Sequence, residues 1–83
     1  MMKSNKMKIA TIKLTDDKDI IEVCHLFNIF GYDINCVSGE HIIDGKSMIG
    51  LLLLLNKEID VYICDCPINT TKVLKDQLSK WII

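Results

Sequence analysis

Four segments of the chain alternate between apolar and polar residues with the period of two that predicts β-strands. They are residues 7–14, 32–37, 40–44 and 58–63. In the first strand we place Ala10, Ile12 and Leu14 on the inner face and Met7, Ile9 and Thr11 on the outer face, because the former set is more apolar. Ser38-Gly39 predicts a two-residue turn, so that residues 32–44 form a hairpin. Pro67 ends the last strand.

Three further segments have helical periodicity. Residues 15–19, Thr-Asp-Asp-Lys-Asp, supply capping side chains and acids for a first turn, and Gly31 ends this helix. Ser47 begins a short helix that runs to about residue 55, and Asn69 caps the last one. The expected core stripes are Ile20, Val23, Cys24 and Phe27 in the first helix, and Val73, Leu74, Gln77, Leu78 and Trp81 in the last. The order β-α-β-β-α-β-α predicts an α+β, two-layer open-faced sandwich, with a four-stranded antiparallel sheet and three helices on one face.

The composition narrows the class of protein. The chain is 49% hydrophobic, which excludes disorder. Its length of 83 residues predicts one domain, residues 7–83, preceded by a polar N-terminal tail, residues 1–6. The net charge is −1, which argues against direct nucleic-acid binding. All ten basic residues are lysines, so that a bidentate guanidinium clamp for phosphate or carboxylate is excluded. The longest apolar run, 49–55, is too short to cross a membrane. Because residues 1–6 are not followed by a signal-type apolar segment, we expect a cytoplasmic protein with reduced cysteines.

The leucine run Leu51–Leu55 has more apolar residues than one helix face can hold. Helical residues step by about 100°, so that Leu51, Leu54 and Leu55 fit a core stripe. Three residues then point away from that stripe, namely Met48, Ile49 and Leu52. Such a cluster predicts a surface for docking a protein partner. A second copy of the chain, giving a homodimer, and an apolar surface without function are the alternatives.

The string Gly45-Lys46-Ser47-Met48-Ile49-Gly50, followed by the leucines, resembles the HPr family of phosphocarrier proteins of the bacterial phosphotransferase system. The resemblance covers residues 7–83 and includes the element order. In that family the serine is a regulatory phosphorylation site and its apolar neighbours dock partners. The resemblance therefore implies regulatory phosphorylation of Ser47, with Lys46, Met48, Ile49 and Leu52 as the docking residues.

The chain departs from the family where the phosphocarrier histidine belongs. The family has a Gly-(apolar)-His-Ala-Arg-Pro string at the start of the first helix. Counting back from Ser47 without gaps places Asp16 at the histidine, Lys18 at the arginine and Asp19 at the proline. An acyl phosphate on Asp16 would be repelled by the neighbouring carboxylates. We therefore assign no catalytic residue and expect a helix cap at Asp16.

Together these features predict a regulatory docking module rather than an enzyme, without histidine phosphotransfer and without a cofactor. By resemblance it acts as a catabolite-repression corepressor. Its partners would be an HPr kinase and a LacI-type transcription regulator. The alternative is a phosphocarrier in phosphoenolpyruvate-dependent sugar transport that accepts phosphate on Asp16 and passes it from enzyme I to a permease. A ligand sensor of ferredoxin-like type is a third hypothesis.

The remaining chemistry-bearing residues have simpler interpretations. His25 falls on a polar helix face and His41 in a short strand, so both are expected at the surface. Cys64 and Cys66 form a C-x-C pair, but a metal site needs two further ligands, and we assign none.

Overall fold

The computed structural model describes residues 6–83, with four strands, three α-helices and one turn of 3-10 helix. The elements are β1 (Lys6–Lys13), α1 (Asp17–Ile29), β2 (Ile34–Ser38), β3 (His41–Asp44), α2 (Met48–Leu53), β4 (Glu58–Cys64), α3 (Ile68–Gln77) and the 3-10 turn (Ser79–Trp81). The predicted order β-α-β-β-α-β-α is confirmed. Of the predicted tail, residues 1–5 lie outside the described residues, and Lys6 is the first residue of β1.

The strands form one sheet in the order β1-β4-β2-β3, and every neighbouring pair is antiparallel. β4 lies in the middle because it pairs with both β1 and β2. The three α-helices cover one face, and the core lies between the two layers. This is the predicted α+β open-faced sandwich. The largest fully buried side chains include Phe27 of α1, Leu51 of α2, Ile59 of β4 and Leu74 of α3.

A β-bulge in β1 changes which of its residues face the core. Lys8 pairs with Tyr62 and Ala10 with Val61, so that Ile9 has no partner in β4. The extra residue reverses the alternation of the strand. Ile9 is buried and Met7 packs against the core, so the prediction that both face outward was wrong. Ile12 and Leu14 are buried as predicted, while Ala10 is half-buried.

The hairpin and α2 differ slightly from their predicted limits. Ser38 pairs with His41, which moves the turn one position on, to Gly39-Glu40. Gly39 has φ of +59°, a left-handed conformation that glycine adopts without strain. α2 ends at Leu53, with Leu54 as its C-cap, and is therefore shorter than the prediction to residue 55.

α3 begins earlier than predicted. Its N-cap is Pro67, so Asn69 lies inside the helix and does not cap it. Starting the helix at Ile68 turns Thr71, Leu74 and Leu78 toward the core. Val73 and Gln77 were predicted on the core side but are exposed. Each directly precedes a buried leucine, and successive helical residues point about 100° apart, so that both turn toward solvent.

The last residues close the outer edge of β1. Ile82 forms an isolated antiparallel bridge with Ile12, and the backbone N–H of Ile83 donates to the carbonyl oxygen of Thr11 at 3.1 Å. Trp81, predicted as an anchor of this segment, is only 9% exposed. In the part of the chain that the structure describes, no helix is long and apolar enough to cross a membrane.

Candidate functional site

The loop before α2 is held tightly against the core. The backbone N–H of Gly45 donates to the carbonyl oxygen of Ile34 at 2.7 Å. A Cβ at position 45 would lie 2.8 Å from Cγ2 of Ile34 and 3.0 Å from Cδ2 of Phe27, so a larger residue would collide there. Gly45 therefore allows the loop to pass close to α1 and fixes where Lys46 and Ser47 emerge.

Helix α1 contacts the same loop through its side chains. Nδ2 of Asn28 donates to the carbonyl oxygen of Lys46 at 3.2 Å and to that of Cys24 at 2.8 Å. The Cys24 thiol also donates to the Lys46 carbonyl, at 3.5 Å. On the other side, the Lys46 N–H donates to Oδ1 of Asp44 at 2.9 Å. The backbone beside Ser47 is thus fixed between α1 and β3.

Ser47 is the N-cap of α2, as the sequence predicted. Its Oγ accepts a hydrogen bond from the backbone N–H of Gly50 at 3.2 Å, and the residue is half-buried. The carbonyl oxygen of Ser47 accepts the N–H of Leu51 at 3.0 Å, which begins the helix. A side-chain oxygen at this position satisfies one of the otherwise unpaired N–H groups of the first turn.

The exposed side of α2 carries the apolar cluster that the sequence predicted. Met48 is 45% exposed, Ile49 76% and Leu52 44%. On the opposite side Leu51 and Leu54 are fully buried. Leu55 is half-buried, which agrees with the predicted core stripe. The predicted exposure is confirmed; that these residues dock a partner remains a prediction.

Gly50 lets α2 lie close to β3. A Cβ at position 50 would lie 3.0 Å from Cδ1 of Ile43 and 3.2 Å from its Cβ. The helix therefore approaches the edge strand more closely than a larger residue would permit. Leu53 is also exposed, at 66%, and extends the apolar surface beyond the residues that the sequence singled out.

Helix α1 completes this surface. An apolar groove of about 350 Å³ lies between the two helices, lined by Asp17, Ile20, Ile21, Met48 and Leu52. We call it the α1–α2 groove. The sequence pattern did not predict that Asp17 and Ile21, which is 54% exposed, belong to this surface. The available signal was an additional isoleucine directly after Ile20, outside the core stripe of α1.

The acidic start of α1 is a capping arrangement. Oδ1 of Asp16, the N-cap, accepts the backbone N–H of Asp19 at 3.0 Å. In return, Oδ2 of Asp19 accepts the N–H of Thr15 at 3.1 Å and its hydroxyl at 3.2 Å. This arrangement differs from a capping box in that the N3 carboxylate of Asp19 accepts the N–H of Thr15, the residue before the N-cap, rather than that of the N-cap itself. The expected cap at Asp16 is confirmed.

Asp19 also binds the C-terminal segment. Its Oδ1 accepts a hydrogen bond from Nε1 of Trp81 at 3.0 Å. This bond, followed by that from the Thr15 backbone, lowers the pKa of Asp19 below its ordinary value. Beside it, Nζ of Lys80 lies 4.7 Å from the centre of the Trp81 ring and 2.8 Å from Oε2 of Glu22. Asp19 therefore has a structural role.

The other residues singled out by the sequence do not join a catalytic constellation. Lys18, His25 and His41 are exposed. Asp16 is exposed as well, with one of its oxygens used for capping. Among residues 6–83 no three side chains of His, Cys, Asp or Glu come together as a metal site.

The four cysteines are free thiols in two environments. Cys24 is buried, as predicted, and so is Cys36, while Cys64 and Cys66 are half-buried. Burial, together with the negative charge of Asp44, raises the pKa of Cys36 to about 12. Cys36 therefore stays protonated and packs as a small apolar residue.

The fold is that of HPr-like phosphocarrier proteins, as three solved structures show. The phosphocarrier protein HPr from Bacillus anthracis str. Ames superposes with a TM-score of 0.65 at 10% identity, covering 99% of this chain and 100% of its own. The histidine-containing phosphocarrier protein of Mycoplasma gives 0.66 at 13% identity, with coverage of 95% and 98%. HPr-C-His from Thermoanaerobacter tengcongensis gives 0.62 at 12%, with coverage of 93% and 90%. No protein-family model and no curated protein matches the sequence. The similarity establishes the fold, and the function has to be argued from the site.

Proposed function

We propose that this protein is a regulatory docking module with an HPr-like fold. It binds protein partners through Met48, Ile49 and Leu52, beside Lys46, and it is switched by phosphorylation of Ser47. It does not transfer phosphate through a histidine. In this proposal the modifying enzyme is an HPr kinase and the partner is a LacI-type transcription regulator, as in catabolite repression.

The exposed apolar side of α2 is the observation that carries the proposal. Ile49 and its neighbours lie directly after Ser47, so that a phosphate on this serine would border the docking surface. Exposed apolar side chains that are clustered at one place mark protein interfaces more often than isolated ones do. The Gly45 and Asn28 contacts fix the backbone at this place, which keeps the loss of entropy on binding small.

The alternative, a phosphocarrier that uses Asp16, is less well supported. A phosphoryl group on Asp16 would convert the carboxylate that caps α1 into a neutral acyl group, which accepts the N–H of Asp19 more weakly. The group would also be added beside the negative charge of Asp17, which forms no ion pair in the part of the chain that is described. Carrier chemistry needs donors that cradle the phosphate, and this turn supplies acids instead.

The proposal is tested by two parallel reactions followed by intact mass measurement. One contains HPr kinase and ATP, and the other contains enzyme I and phosphoenolpyruvate. We expect a gain of one phosphate, about 80 Da, only with the kinase, and its loss in the Ser47→Ala variant. A phosphate on Asp16 from the enzyme I reaction would contradict the proposal and establish the alternative.

Docking is tested with the kinase product and a LacI-type regulator on a biosensor surface. Ile49→Ser is expected to weaken binding at least tenfold, because the most exposed apolar side chain of the proposed docking residues is lost. Ile42→Ser is the matched control, since Ile42 is 68% exposed but lies on β3. Equal effects of the two variants, or no binding by either form of the wild type, would refute this partner.

A further inference from the structure

The α1–α2 groove has apolar walls and a carboxylate at one end. Three of its lining residues, Ile21, Met48 and Leu52, are about half exposed, and Asp17 is the single charged one. Small-molecule sites have several polar groups that converge on the ligand. Here a single carboxylate adjoins apolar side chains that are exposed to solvent. Such a combination is typical of a protein interface.

The Asp17 carboxylate is available to a partner. Within residues 6–83 it takes part in no hydrogen bond or ion pair, whereas Asp19 is bonded to Trp81 and Glu22 to Lys80. Asp16, the preceding residue, adds a second negative charge. The groove is therefore lined by a single carboxylate, that of Asp17, and Asp16 adds a charge nearby without lining the groove.

No lysine is among the described residues that line the groove beside these acids. Helix α2, Met48–Leu53, carries no charged residue. Lys18 follows Asp17 in α1, but successive helical residues diverge by about 100°, and Lys18 does not line the groove. Lys46 precedes the other end of the exposed α2 surface. The Asp17 carboxylate is consequently the only charged group among the described residues that line the groove.

We infer that the occupant of the α1–α2 groove is a basic segment of a partner protein. It places a bulky aliphatic side chain against Ile21, Met48 and Leu52, and a neighbouring lysine or arginine reaches Asp17. This inference rests on the proposed docking function and specifies the chemistry of the partner. Apolar contact supplies affinity, and the charge pair selects the partner and fixes its direction.

The test uses three synthetic helical peptides of equal length with the same leucine pair. Their flanking positions carry lysine, glutamate or glutamine. Binding to the full chain is followed by amide chemical shifts in NMR spectra, which also report where each peptide binds. We expect the lysine peptide to bind about tenfold more tightly than the glutamate peptide at about 0.1 M salt. The difference should nearly vanish at about 1 M salt, where the screening length falls from about 10 Å to about 3 Å.

Two variants of the protein separate the groove from overall charge. Asp17→Asn is expected to weaken lysine-peptide binding about two- to fivefold and to leave glutamine-peptide binding unchanged. Asp76→Asn makes the same change in net charge at an exposed position of α3, and is expected to have no effect. Thermal unfolding of each variant checks that the fold is retained.

The outcomes distinguish the partner chemistry from the docking function. If the glutamate peptide shifts the groove residues as strongly as the lysine peptide, the docking surface stands and the basic partner is refuted. If no peptide shifts Ile21, Met48 or Leu52, the inference fails, and the docking function is judged separately by the regulator-binding experiment with the Ser47-phosphorylated protein. Sedimentation of the protein alone is expected to give a monomer. Assembly that Asp17→Asn abolishes would make a second copy the occupant and overturn the inference.

Discussion

The hydrogen bond between Trp81 and Asp19 joins residues 62 positions apart and fixes the C-terminus to the start of α1. Replacing Trp81 with Phe removes the N–H donor but keeps an aromatic ring, and replacing Asp19 with Ala removes the acceptor. A double-mutant cycle of these changes isolates their coupling from the other contacts that each residue makes. The measurement is urea unfolding followed by far-UV circular dichroism.

The geometry sets the expected magnitude. The donor and acceptor are 3.0 Å apart, the Trp81 side chain is nearly buried, and the acceptor is charged. Hydrogen bonds to charged groups contribute about 1.5–3 kcal/mol. Because Asp19 is partly exposed to solvent, we expect a coupling free energy of about 1–2 kcal/mol at neutral pH.

The pH dependence of this coupling has a definite sign. The pKa of Asp19 is lowered in the folded state, first by the bond from Trp81. Stability from this group is therefore present above the unfolded pKa of about 3.9 and is lost as the pH falls through the lower folded value. The coupling should stay constant from neutral pH to about pH 5 and decrease below about pH 4.

A control cycle pairs Trp81→Phe with Asp17→Ala. Asp17 makes no bond to Trp81, and its coupling should fall within the additivity error of about 0.5 kcal/mol. A Trp81–Asp19 coupling below the same limit at neutral pH would refute the reasoning. So would a coupling that does not change on acidification.

Three further predictions concern the loop before α2 and the helix itself. Gly45→Ala is expected to lower the free energy of unfolding by about 1–3 kcal/mol, because the new Cβ would overlap Ile34; chemical denaturation measures this, and an unchanged midpoint would contradict the close packing. Ser47→Ala should cost about 1 kcal/mol in the same assay through loss of the N-cap, while Ser47→Asp, which retains a capping oxygen, should be close to wild type. Leu54→Ala should cost about 2–5 kcal/mol and Leu53→Ala less than about 0.5 kcal/mol, since the former side chain is fully buried and the latter is 66% exposed; similar losses for both would show that the two faces of α2 are misassigned.

Local patterns predicted the elements of the fold well. Alternation located β4 because Ile59, Val61 and Ile63 all face the core, and no bulge interrupts the strand. The same rule failed in β1, where the bulge at Ile9 reverses the alternation. A bulge is stabilised by the register of the partner strand, so it leaves little trace in the strand's own residues.

The candidate site was predictable where it depends on one short segment. Ser47 as N-cap and the exposure of Met48, Ile49 and Leu52 follow from helical periodicity in residues 47–55. The contribution of Asp17 and Ile21 did not follow, because their position depends on how α1 packs against α2. Periodicity gives the direction of a side chain relative to its own helix, and not what another helix places beside it.

The sequence by itself determined the order of the elements, the capping residues Asp16 and Ser47, and the excess of apolar side chains in α2. These properties arise from interactions between residues that are close together in the chain. Only the tertiary structure decided that β4 lies between β1 and β2, that Trp81 meets Asp19, and that an acidic residue borders the α1–α2 groove. Each of these depends on contacts between distant segments, whose geometry is set by the packing of the whole core rather than by any one stretch of the chain.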